Sequence, residues 1–113
     1  MTIDEMRESL IGQLTPYLKK TDKTFDEELL ASIVDGVLTD ARQYRRYPST
    51  YPEETVLSDM ASGLGTFRRV ALFRYNKIGV ENESSHSEGE VSRKFIDDGK
   101  EWAGWLPLGG VLQ

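Results

Sequence analysis

The chain has no cysteine, so disulfides, thiolate metal sites and thiol nucleophiles are all excluded. Histidine occurs once, at His86, and a metal site there would have to be completed by carboxylates. No run approaches the ~18 apolar residues of a membrane span. Met1–Leu10 carries acids where a secretory leader needs basic residues. With 113 residues the chain is one domain, long enough to bury a single core without a covalent staple. Its 38% hydrophobic and 29% charged residues describe a polar but foldable protein, not a disordered one.

Charge is distributed in blocks. Residues 1–40 hold four basic and nine acidic side chains, residues 41–80 seven and three, and residues 81–113 three and seven. Free duplex DNA demands a net basic face, which this alternation does not offer. It suits instead the joining of acidic and basic faces of identical copies, or ordinary solvated surfaces. Arg42, Arg45, Arg46, Arg68 and Arg69 are the candidate basic contacts. They would face Asp26, Glu27 and Glu28, or the acids between Glu81 and Glu90.

Helical periodicity dominates residues 1–78. Thr2 and Glu5 have capping-box spacing, and Ile3, Met6, Leu10 and Leu14 follow at helical steps until Pro16, which is expected to end or bend the helix. A polar link over residues 19–23 should follow. Thr24 and Glu27 offer a second capping box, and the stripe Leu30, Ile33, Val34, Val37, Leu38, Ala41, Tyr44 predicts a helix over 24–46. Pro48 and Pro52 bracket a turn. From there Val56, Met60, Leu64, Phe67, Val70, Ala71 and Tyr75 predict one long third helix, with Gly79 as its C-cap. Gly63 and Gly65 fall inside it and imply a kink or the close approach of another element. They are a poor nucleotide motif, since no strand precedes them and no third glycine follows in register.

Beyond Gly79 the pattern changes. Residues 83–88 and 90–96 flank Gly89 and read as a β-hairpin. The tail from Trp102 carries two tryptophans and is broken by Pro107, Gly109 and Gly110. It either folds back on the core or docks into a partner, with Trp102, Trp105, Leu106 and Leu108 as the anchors. The expected fold is therefore mainly α. It comprises a bundle of about three helices over 1–78, a hairpin over 79–96 and an arm over 97–113.

Little in the sequence points to chemistry. Ser84, Ser85, His86, Ser87 and Glu88 are adjacent, and successive strand residues face opposite ways, so they cannot relay a proton as a hydrolytic triad does. Glu81, Glu83, Glu88 and Glu90 could offer oxygens to a hard cation but lack EF-hand spacing. Arg42, Arg45 and Arg46 interleaved with Tyr44 and Tyr47 have the look of a nucleic-acid surface. Arginines at a helix C-terminus, however, need no ligand. No enzyme, cofactor or metal is expected.

One stretch is specific. Tyr75-Asn-Lys-Ile-Gly79, then Glu83-Ser-Ser-His-Ser-Glu-Gly89 and Val91-Ser-Arg93, resembles the head–tail connector (head-completion adaptor) proteins of long-tailed bacteriophages and related prophages. With the softer match of the preceding helices, the resemblance covers residues 2–96. Asn82 and Glu90 stand where that family's pattern has glycines, and the tail from Trp102 has no counterpart in it. The resemblance implies a virion structural protein at the head–tail interface, assembled in the host cytoplasm as a homo-oligomeric ring of about a dozen copies. Such a ring binds the portal protein and passes double-stranded DNA without holding it. It also offers a platform to a downstream connector or tail-completion protein. Glu83, His86, Glu88 and Arg93 of the motif join the five arginines as inter-subunit candidates. The alternative function is a small helical nucleic-acid-binding regulator using residues 42–47.

Overall fold

The computed structural model describes residues 1–84 and 99–108. Four helices follow in order: α1 (Ile3–Thr21), α2 (Glu27–Arg45), α3 (Glu53–Ala61) and α4 (Leu64–Ser84). A 3-10 turn, Gly99–Trp102, begins the arm. Among the described residues there is no strand, and the protein is mainly helical. Helices α1, α2 and α4 pack against one another, and the 3-10 turn packs on α4.

The first helix begins as its sequence dictates. Thr2 Oγ1 accepts from the Glu5 backbone N–H at 3.1 Å, and the Thr2 N–H donates to Glu5 Oε1 at 2.8 Å. Pro16 neither ends the helix nor leaves residues 19–21 as a link, because α1 continues to Thr21. A mid-helix proline disfavours the helix by ~3 kcal/mol. Here the extra turn buries Leu18 completely, a gain of ~1.5–3 kcal/mol. Gly12, whose carbonyl loses the donor that Pro16 lacks, lies on the exposed side, where water can satisfy it. The Thr15 hydroxyl donates to the Ile11 carbonyl at 2.7 Å in the same turn.

The second helix is capped two residues later than its apparent capping box implies. Asp26, not Thr24, is the N-cap, accepting from Leu29 N–H at 3.1 Å. Thr24 is drawn into a turn on Asp22, whose Oδ1 accepts from both its N–H and its hydroxyl. The whole stripe from Leu30 to Ala41 is buried, but Tyr44 is 43% exposed. The helix closes with Arg46 in the left-handed region, at φ 56° and ψ 59°.

The expected long third helix is two helices, broken at Ser62–Gly63. Ser62 turns its hydroxyl back to the Asp59 carbonyl, and α4 restarts at Leu64. α4 then runs through Gly79, the expected cap, to Ser84. Glu83 and Ser84, assigned to a hairpin strand, therefore have helical backbone; the rest of that hairpin lies outside the described residues. The core joins Met6, Leu10, Leu14 and Leu18 of α1 to the α2 stripe, Val56 and Met60 of α3, Phe67, Val70, Ala71 and Tyr75 of α4, and both tryptophans of the arm.

Gly63 shows why the break is where it is. A Cβ built there would stand 2.6 Å from Trp105 Cζ3 and 3.0 Å from Phe67 Cζ. Gly65, two residues on, has open space around it. The two glycines should therefore respond oppositely to alanine. Gly63→Ala must displace the indole and should lose about 1–3 kcal/mol of stability, whereas Gly65→Ala should gain up to about 1 kcal/mol. Urea unfolding of the two variants should give midpoints on opposite sides of the parent.

Candidate functional site

The C-terminal end of α2 gathers a polar cluster around Arg45. The side chain is mostly covered, and its Nε and Nη2 donate to Asp59 Oδ2 and Oδ1 at 2.9 and 3.2 Å. Its Nη1 donates to the Leu106 carbonyl at 3.0 Å, and its guanidinium lies 4.3 Å from the Trp105 ring centroid. The Arg45 carbonyl accepts from Leu108 N–H at 2.7 Å. One residue thus ties α2 to α3 and to the arm. Tyr47 completes the cluster, its hydroxyl donating to Asp59 Oδ2 at 2.6 Å.

The arm is seated by its indoles. Trp105 Nε1 donates to the Ala41 carbonyl at 2.9 Å, filling the one polar need of a buried indole. Its ring meets Phe67 edge-to-face with centroids 4.9 Å apart. Trp102 stands edge-on to Tyr44 at 5.0 Å, with Arg74 5.9 Å from its centroid. Arg74 also donates to Asp40 at 2.9 Å. Both tryptophans, expected as anchors of the tail, are buried against their own chain. Leu106 is exposed, and Leu108 is half-buried, held through its backbone.

A second cluster fastens the other end of the bundle. Tyr75 Oη donates to Asp22 Oδ2 at 2.7 Å and accepts from Asp26 N–H at 2.9 Å. That hydrogen bond, with those from Thr24, holds the Asp22 carboxyl below its usual range. Burial, with the neighbouring carboxylate, pushes the Tyr75 hydroxyl up and keeps it a donor. The first residue of the resembling stretch is thus a core residue of the helical unit.

Beside the Arg45 cluster an open groove of about 710 Å³ runs between the start of α1, α2, the 47–51 turn and the start of α3. Ile3, Leu38, Tyr47, Pro48, Tyr51 and Val56 supply its apolar wall, and the Arg42–Glu53 ion pair crosses its polar side. The chain matches no protein-family model, no curated protein and no solved structure. The geometry therefore has to speak alone.

Two of the arginines expected between subunits have partners within the chain. Arg42 donates both Nη atoms to Glu53, and Arg45 is committed to Asp59 and the arm. Arg46, Arg68 and Arg69 are exposed. Arg68 reaches Gln13 at 3.3 Å and Arg69 reaches Thr66 at 3.4 Å, both at the long limit of hydrogen bonding. Glu83 contributes only helical backbone to the description, and His86, Glu88 and Arg93 lie outside the described residues. Among the described residues no group of three or more metal-ligating side chains comes together, and no helix is long and apolar enough to cross a membrane.

Asp59 was not singled out by the sequence, because a lone acid on a helix carries no pattern. Burial pushes its carboxyl up, but the hydrogen bonds from Arg45 and Tyr47 outweigh burial and hold it below the usual value. Burial, then the bond to Asp59, drives the Tyr47 hydroxyl far above the ordinary tyrosine range. A carboxyl depressed by folding adds stability above its unfolded pKa of ~3.9 and loses it as pH falls through the lower folded value. Asp59→Asn should therefore cost about 2 kcal/mol at pH 7. The gap from the parent should narrow steadily in urea titrations below pH ~4.

Proposed function

We propose that this chain is a head–tail connector protein of a tailed phage or prophage. It assembles as a ring beneath the portal, extends the DNA channel and presents a platform to the next connector or tail protein. The observation that carries this reading is the stretch Tyr75–Gly79, Glu83–Gly89 and Val91–Arg93, which combines an uncommon polar motif with the end of a long helix. A mainly helical unit agrees with it in kind. The net charge of −5 suits a channel through which DNA must slide without being held.

On this reading, charges left without an internal partner join the copies. Arg42 and Arg45 are engaged within the chain, so the contact falls to Arg46, Arg68 and Arg69, facing the acids Asp26, Glu27 and Glu28 of the next copy. Exposed pairs contribute only ~0–1 kcal/mol each, so assembly depends on repetition around the ring and on the portal as template.

The regulator alternative loses much of its surface by the same reasoning. Of the 42–47 cluster, Arg42, Arg45 and the Tyr47 hydroxyl are bound internally, leaving Arg46 and Tyr44. The connector reading requires that duplex DNA does not retain the protein at physiological salt. Tight binding with a steep salt slope would support the regulator instead.

Reversing Arg68 and Arg69 to Glu should reduce incorporation into portal-bearing heads by tenfold or more, ~1.4 kcal/mol or above. The melting temperature should stay within a few degrees of the parent, because both side chains are exposed. Co-sedimentation with heads, followed by imaging of the junction, reads the outcome. Normal incorporation of the double variant would reject charge pairing at these sites, and failure of the parent protein to join heads would reject the connector function.

A further inference from the structure

We propose that the face formed by α1 and α4 is the surface through which one copy docks onto the next, with Tyr17 entering the neighbour's groove between α1, α2 and α3. This rests on the connector reading, which supplies the second copy, and it gives the charge contacts named there an apolar seat.

The three helices that pack against one another leave three sides. The arm closes the α2–α4 side, where Trp105 bonds Ala41 and meets Phe67. The Arg7–Asp35 pair marks the α1–α2 side, which holds the groove. The Arg68–Gln13 bond marks the α1–α4 side.

That last side is built from acid-free sequence. Residues 9–21 and 64–80 contain no Asp or Glu, yet they carry Lys19, Lys20, Arg68, Arg69, Arg74 and Lys77. Among the described residues only Arg74 of these six pairs with an acid, Asp40. On α1, Gln13, Tyr17 and Lys20 follow at four- and three-residue steps, so they share the face that Arg68 touches. Tyr17 is 51% exposed there.

The groove offers the complement. Tyr47, Pro48 and Tyr51 give it an aromatic and apolar wall, and Tyr51 is 40% exposed. Asp35 and Glu53 line it, and Asp4, Glu5 and Glu54 stand within two residues of its lining in sequence. Arg7 and Arg42 pair with only two of these five acids, Asp35 and Glu53, so the surround is acidic. Glu28, Asp35 and Arg42 recur at seven-residue steps, which puts Glu28 on the side of α2 that faces the groove. With Tyr17 seated, Arg68 comes to this Glu28–Asp35 stripe.

A second copy fits the face better than nucleic acid does. DNA would match the sign of the charge alone, whereas the groove matches both the charge and the exposed tyrosine, and Tyr and Arg are the commonest interface anchors. The two surfaces also lie on different sides of the bundle. A head-to-tail contact that closes into a ring requires that arrangement.

The test mixes a heavy-isotope full-length chain carrying Tyr17→p-benzoylphenylalanine, an aromatic replacement at an exposed site, with light parent chain. The mixture is assembled on portal-bearing heads, irradiated and digested. The expected cross-link joins heavy residue 17 to light peptides holding Tyr47–Tyr51. In parallel, Tyr51→Asp should reduce incorporation tenfold or more, with the melting temperature within a few degrees of the parent. In a formed ring, cross-links from residue 17 to portal peptides, to DNA or to another surface of the next copy overturn the proposal and leave the connector function standing. Absence of the heavy–light cross-link, or normal incorporation of Tyr51→Asp, does the same. If the parent forms no ring on the heads, the connector reading falls and this contact falls with it.

Discussion

The seating of Trp105 against Gly63 governs the rest of the structure. A glycine at the break between α3 and α4 leaves a hollow the width of a missing Cβ, and the indole fills it. Phe67 then presents its edge, Ala41 accepts the indole N–H, and Arg45 covers the outer ring face. Because the α3–α4 angle, the end of α2 and the arm all meet at this contact, none of them can shift alone. Close-packed interiors transmit such constraints because they contain little free volume.

Charge plays a more local role than its block pattern suggests. The basic middle of the chain is partly neutralised by acids of its own fold, through Arg42–Glu53, Arg45–Asp59 and Arg74–Asp40. The exposed pair Arg7–Asp35 adds little, since water and salt screen it. The covered pair at Arg45 matters more, because it combines bidentate geometry with a cation–π contact and two backbone bonds. What remains for partners is a smaller basic set on α4 and at Arg46, and an acidic face at the start of α2. On the connector proposal, that division separates residues that build the subunit from residues that can join subunits. The arm belongs to the first group.

Local patterns determined much of this protein. The α1 capping box, the α2 stripe and the buried positions of α4 follow from helical spacing and cap chemistry, which act within a few residues. The excluded chemistries follow equally directly from the missing cysteine and the single histidine. Other features were decided only by tertiary contacts. The helix passes Pro16 because Leu18 finds a buried site, and Asp26 displaces Thr24 as the cap because the Asp22–Thr24 turn and Tyr75 fix the preceding loop. Gly63 announced a close approach in the sequence, but the approaching group proved to be an indole 42 positions away, which no local spacing encodes. Arg45 looked like a surface cation at a helix end and became the clasp of the arm for the same reason. Its partners, Asp59, Trp105, Leu106 and Leu108, are brought to it only by the fold.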